Sequence, residues 1–94
     1  MLAVLIKRTL ASEMESTYEA FSRKMIQAAV PAKGFISSKA FKDLQDSKIR
    51  YTLIQMECLA DWKGWYESEE RRAALLHIQP LLVEDEHISI LTTA

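Results

Sequence analysis

The chain has 94 residues, 49% of them hydrophobic and 27% charged, with a formal net charge of −1. That length supports one domain over residues 1–94, because two separate cores would each be too small to bury enough surface. Two glycines and two prolines exclude a collagen-like or linker-dominated chain, and near-neutral charge argues against nucleic acid as the partner.

Cys58 is the lone cysteine, which leaves no internal disulfide framework and no thiolate zinc site. No apolar run approaches the ~20 residues that cross a bilayer, so no membrane partner is expected. The opening Met1-Leu2-Ala3-Val4-Leu5-Ile6-Lys7-Arg8 is apolar before it is basic, the reverse of a signal peptide. A cytoplasmic location is the expectation.

In chain order, Leu2 to Leu10 is rich in Val, Ile and Leu and too short for a helix, which predicts a strand. Ser12 is then the expected cap of a helix, with Glu13 and Glu15 suited to its positive end. Met14, Tyr18, Phe21, Met25 and Ala28/Ala29 follow at helical spacing, and Pro31 sets the stop near Val30. From Phe35 to Leu44 and from Lys48 to Leu59 the period changes to two, around the short polar loop Gln45–Lys48. Phe35, Ser37, Lys39 and Phe41 are expected on one face, and Thr52, Ile54, Met56 and Cys58 on one face of the next strand. A helical stretch begins at Ala60 or Asp61, Ser68 is a second cap, and Pro80 kinks or breaks the helix that follows. Glu84-Asp85-Glu86 reads as a solvated turn and Arg71-Arg72 as a charged helix face. His87 to Thr93 is the last strand.

Strand, helix, strand, strand, helix, strand is an α+β order. Right-handed crossovers put both helices on one face of a single antiparallel sheet. The other face stays bare, yet Leu2, Val4 and Ile6 alternate with Ala3 and Leu5, so both faces carry apolar residues. Such a face marks an interface, and the simplest closure is a two-fold homodimer.

The residues that carry a family resemblance are Val4–Arg8, Gly34–Ser38 and above all Asp61-Trp62-Lys63-Gly64-Trp65-Tyr66-Glu67-Ser68-Glu69-Glu70-Arg71. On them the whole chain resembles an antibiotic biosynthesis monooxygenase domain, whose protomer is ferredoxin-like and whose dimer forms an α+β barrel. The resemblance implies a site between sheet and helices and cofactor-independent oxygenation of a quinol- or anthrone-like aromatic molecule. The substrate's own enolate would supply the electron to oxygen, with no cofactor and no metal. Trp65 matches the tryptophan that lines the cavity. Haem-degrading relatives add a first-strand asparagine and a histidine on the second helix. This chain has no asparagine, and alignment on Trp65 and Ser68 puts Leu75 in the histidine's place. His77 is then roughly 200° around the helix from Leu75. Haem binding through His77 is a third and distant reading.

The residues offer a short set of candidates beside their plainer roles. Trp62 and Trp65 can form a flat wall for an aromatic ligand, with Tyr18 and Phe21 as another; each is equally at home in a core. His77 and Tyr18 are the candidate catalytic groups, because imidazole titrates near neutrality and a phenol can donate. Lys7 and Arg8 point to opposite faces, so one of them can enter the cavity and stabilise an enolate; Arg8 is the candidate. The alternative function is a non-catalytic small-molecule-binding or dimerisation module, its interior filled by its own side chains.

Overall fold

The computed structural model describes all 94 residues. Its elements are β1 (Leu2–Thr9), α1 (Glu15–Ala29), β2 (Phe35–Lys42), β3 (Ile49–Met56), α2 (Leu59–Tyr66), α3 (Glu69–Ile78), a 3-10 turn (Gln79–Leu81) and β4 (His87–Leu91). The four strands form one antiparallel sheet in the order β2-β3-β1-β4, with β1 and β3 at its centre. This is the expected ferredoxin-like βαββαβ arrangement.

The period of two decides what each strand buries. Val4, Ile6 and Arg8 of β1 are buried, as are Arg50, Thr52, Ile54 and Met56 opposite them on β3. These residues share the face covered by the helices, where Tyr18, Met25, Ala29, Trp62, Trp65 and Ile78 complete the core. The opposite face carries the pairs Leu5–Leu53, Lys7–Tyr51 and Thr9–Ile49.

Two local devices set the helix ends. Ser68 caps α3: its Oγ accepts from the Arg71 N–H at 3.1 Å and donates to the Trp65 carbonyl at 2.7 Å. One hydroxyl thus satisfies the end of α2 and the start of α3. Gly34 has a φ of +82°, and a Cβ there would lie 2.2 Å from Asp61 Oδ2. Only glycine allows α2 to seat against the start of β2.

Several boundaries differ from expectation. Ser12 does not cap α1. Glu13 adopts a φ of +66°, turning the chain so that the helix starts after Met14 with no side-chain cap. Helix α1 ends near Val30 as expected, but Val30 keeps helical angles, φ −53° and ψ −43°; the stop comes from the N–H that Pro31 lacks. Phe35 does not share a face with Ser37: a bulge at Ile36 pairs Phe35 with Met56 and Ser37 with Gln55, so Phe35 packs against the core. Cys58 lies past the strand end as the exposed, extended residue just before α2, its thiol 3.3 Å from Asp61 Oδ2. Pro80 breaks the helix, and the 3-10 turn carries the chain back to β1 through the Ala11 N–H to Leu81 carbonyl bond of 2.8 Å. The last strand is two residues shorter than predicted, His87–Leu91. No helix is long and apolar enough to cross a membrane.

Candidate functional site

The inward residue of the Lys7-Arg8 pair is Arg8, 2% exposed between sheet and helices. Its Nε donates to Glu86 Oε2 at 2.8 Å, Nη1 to the Tyr18 hydroxyl at 3.1 Å, and Nη2 lies 3.5 Å from the Met25 sulfur. Burial opposes the Arg8 charge. The Tyr18 oxygen and the Glu86 carboxylate outweigh that penalty and hold its pKa above the ordinary arginine value.

Glu86 serves a second cation. Its Oε1 accepts from Nη2 of Arg71, itself 4% exposed, so two buried guanidiniums share one carboxylate. Arg71 Nε has no partner. The Arg71 guanidinium lies 4.6 Å from the Tyr66 ring centroid, and Tyr66 in turn packs on Trp62 at 5.8 Å. The cluster therefore runs from Tyr18 on α1 through Arg8, Glu86 and Arg71 to Tyr66 and Trp62 on α2. It carries one positive charge more than it can neutralise internally.

This cluster borders a cleft of about 300 Å³ between α3 and β4, lined by Tyr66, Arg71, Leu75, Gln79, Leu82, Asp85, Glu86 and Ile88. The wall is half apolar and half polar: the Tyr66 ring and three aliphatic side chains face Arg71, which stands among Glu86, Asp85 and Gln79.

The remaining candidates lie apart from this cluster. Trp65 is 4% exposed in the core and also floors a separate surface cleft of about 630 Å³, beside Ala28, Ala32 and Gly64. Phe21 and His77 stack face to face at the junction of α1 and α3, centroids 4.8 Å apart and 5° from parallel. His77 is exposed, and no hydrogen bond joins it to Tyr18 or Arg8.

Two members of the cluster depart from the sequence reading. Glu86 is not part of a solvated turn: its side chain is 10% exposed because two arginines draw it inward. Arg71 is not on the charged face with Arg72; it is buried, whereas the Arg72 side chain is 64% exposed. A signal for both existed. Arg71 begins the i, i+3, i+4, i+7 stripe of Ala74, Leu75 and Ile78, and Glu86 is in phase with the half-buried Ile88 two residues on.

No family model matches the chain, and no curated protein matches it. Solved structures do. A conserved protein from Methanosarcina mazei Go1 superposes with a TM-score of 0.92 at 14% identity, covering 99% of this chain and 92% of that one. A structure described as antibiotic biosynthesis monooxygenase superposes at 0.90 and 13% identity, over 100% and 99%. SnoaB, a cofactor-independent oxygenase from Streptomyces nogalater, superposes at 0.87 and 6% identity, over 99% and 93%. Identities this low speak for architecture alone. Over its whole length, the chain has the fold of the antibiotic biosynthesis monooxygenase structures.

Proposed function

We propose that the chain is a cofactor-independent monooxygenase that binds a small aromatic molecule of quinol or anthrone type in the cleft beside Arg71, and that it works as a homodimer. The observation that carries this reading is the pair of buried guanidiniums sharing Glu86, with Arg71 Nε unpartnered, at the wall of a cleft whose other half is Tyr66, Leu75, Leu82 and Ile88. A substrate with an acidic enol or phenol loses its proton to solvent at the open mouth, and its anion is held by Arg71 with Arg8 behind it. Tyr66 and, through it, Trp62 back the aromatic ring.

Chemistry follows from the bound anion. It transfers one electron to O2, and the resulting radical pair combines to a peroxide anion at the substrate carbon. Uptake of a proton and loss of water leave a carbonyl, so one oxygen atom stays in the product and the other leaves in water. Tyr18 stands behind Arg8, outside the lining of this cleft: it accepts from Arg8 and helps fix that guanidinium, and the proton reaches the peroxide from solvent at the open mouth. Phe21 and His77, stacked on the outside, have no part in this scheme. The fold of SnoaB, described as a cofactor-independent oxygenase, supports the reaction type.

A second reading, a binding module without catalysis, is favoured by the filled interior: eleven core residues and the self-paired arginines occupy the space between sheet and helices. Oxygen uptake by the purified protein against a panel of anthrones and quinols, with tryptophan fluorescence read in parallel, separates the two. The expected result is uptake without added metal or flavin. In Leu75→Trp, which fills the cleft, it should fall about a hundredfold. Saturable quenching without uptake establishes the binding module. Absence of both signals across the panel overturns the aromatic ligand itself.

A further inference from the structure

Another cleft opens on the far side of Tyr18, between α1 and the hairpin strands β2 and β3, with a volume of about 270 Å³. Its charge is unbalanced. Arg23, Lys42 and Arg50 line it against one carboxylate, Glu19, on a chain whose overall charge is −1. Arg50 is a built element of the wall, 7% exposed. Its Nε donates to the Ser47 carbonyl at 2.7 Å and its Nη1 to Glu19 Oε2 at 2.9 Å, which leaves Nη2 without a hydrogen-bond partner. The Glu19 side chain, 49% exposed, is held from one side only.

Glu19 also reports the field. The hydrogen bond from Arg50 is the main cause that pulls its carboxyl below the ordinary glutamate value; burial opposes it, and the charges of Arg50, Lys42 and Arg23 add to it. Three cations from three different elements therefore act on one point. Hydroxyls of Ser22 and Thr52 line the same cleft, and Tyr18 supplies an aromatic edge.

We propose that this cleft binds a small oxyanion, a carboxylate or a phosphate group, through Arg50 Nη2 together with Lys42 and Arg23, with Glu19 as a built-in competitor. A guanidinium with a free amino group offers directional donors, and two flexible cations at the rim supply the remaining charge. A long polyanion is a poor match, since the cleft is small and the chain as a whole is slightly acidic. The site is separate from the Arg71 cleft, so it stands or falls independently of oxygenation.

The test is calorimetric titration of the full chain with inorganic phosphate and, separately, with benzoate, at low ionic strength. Saturable binding of at least one anion is expected, and the tighter of the two identifies the source of the group. Glu19→Gln removes the competitor and should tighten binding about fivefold. Lys42→Gln and Arg23→Gln, both at exposed positions, should each weaken it by a similar factor, whereas Lys63→Gln on α2 should not. Failure of both anions to bind wild type and Glu19→Gln overturns the proposal. So does binding that Lys42→Gln and Arg23→Gln leave unchanged.

Discussion

Glu86 holds two buried cations in place, and its removal exposes the cost of burying them. A buried ion pair gains little over a well-packed apolar substitute, but breaking one leaves a charge in a medium that solvates it poorly. Glu86→Gln leaves Arg8 and Arg71, 2% and 4% exposed, without their shared carboxylate. The expected loss is about 3–5 kcal/mol in urea denaturation, a large part of the stability of a small domain. The pair Arg72–Glu69 is the internal control, because its side chains are 64% and 83% exposed. Glu69→Gln should change stability by less than about 1 kcal/mol. A loss in Glu86→Gln no larger than in Glu69→Gln would show that solvent reaches the triad. The two carboxylates read alike in the sequence, as acids in charged runs. What separates them is partnership at long range: Arg8 and Glu86 are 78 positions apart, and no local spacing encodes that.

Local chemistry, by contrast, was readable at the scale of elements. Ser68 announces a helix start because a hydroxyl followed by acids in the first turn satisfies orphan N–H groups wherever it occurs. Pro31 announces a stop for an equally local reason: it has no N–H to continue the i to i−4 ladder, although Val30 before it keeps helical angles. Ser12 offered the same signal as Ser68 and failed, because the left-handed Glu13 moved the helix start past it. The bulge at Ile36 was out of reach too. It depends on Met56 across the sheet and on the seat that Asp61 finds over Gly34, both far away in sequence. The Ser68 assignment has a measurable consequence. Ser68→Ala deletes the bond to the Arg71 N–H and the bond to the Trp65 carbonyl together. It should cost about 1–2 kcal/mol, a fall in Tm of roughly 4–8 °C for each kcal/mol in a domain of this size. Because Arg71 sits three residues into the helix, the same substitution should loosen its contact with Glu86. Ser68→Asp, which keeps a cap acceptor, should recover most of the helix stability but not the donation to Trp65.

Taken whole, the molecule exposes more surface than its mass requires. A folded monomer of 10.8 kDa has about 5,500 Å² of accessible surface on average, against 5999 Å² here. Part of the excess lies on the sheet face away from the helices. Leu5 and Leu53 face each other at its centre, with Ile49, Tyr51 and Phe41 to one side. Lys7, Lys39 and His87 stand among them, and the Lys39 ammonium lies 5.5 Å from the centre of the Phe41 ring. That stem covers apolar area while its charge stays wet. A two-fold axis through the Leu5–Leu53 region would bury the aliphatic centre twice over and leave the lysines at the rim, the cheapest closure for one bare face. The proposed homodimer therefore has a definite test. Sedimentation equilibrium should give twice the chain mass at micromolar concentration, and Tm should rise with concentration. Leu53→Asp puts a charge at the centre of the face with no partner, so it should yield a single-chain mass with a lower Tm that no longer depends on concentration. Because Leu53 points away from the helices, this variant leaves the Arg8–Glu86–Arg71 cluster untouched. If wild type already sediments as one chain, the face is solvated as it stands, and its apolar residues serve only to hold the strands in register.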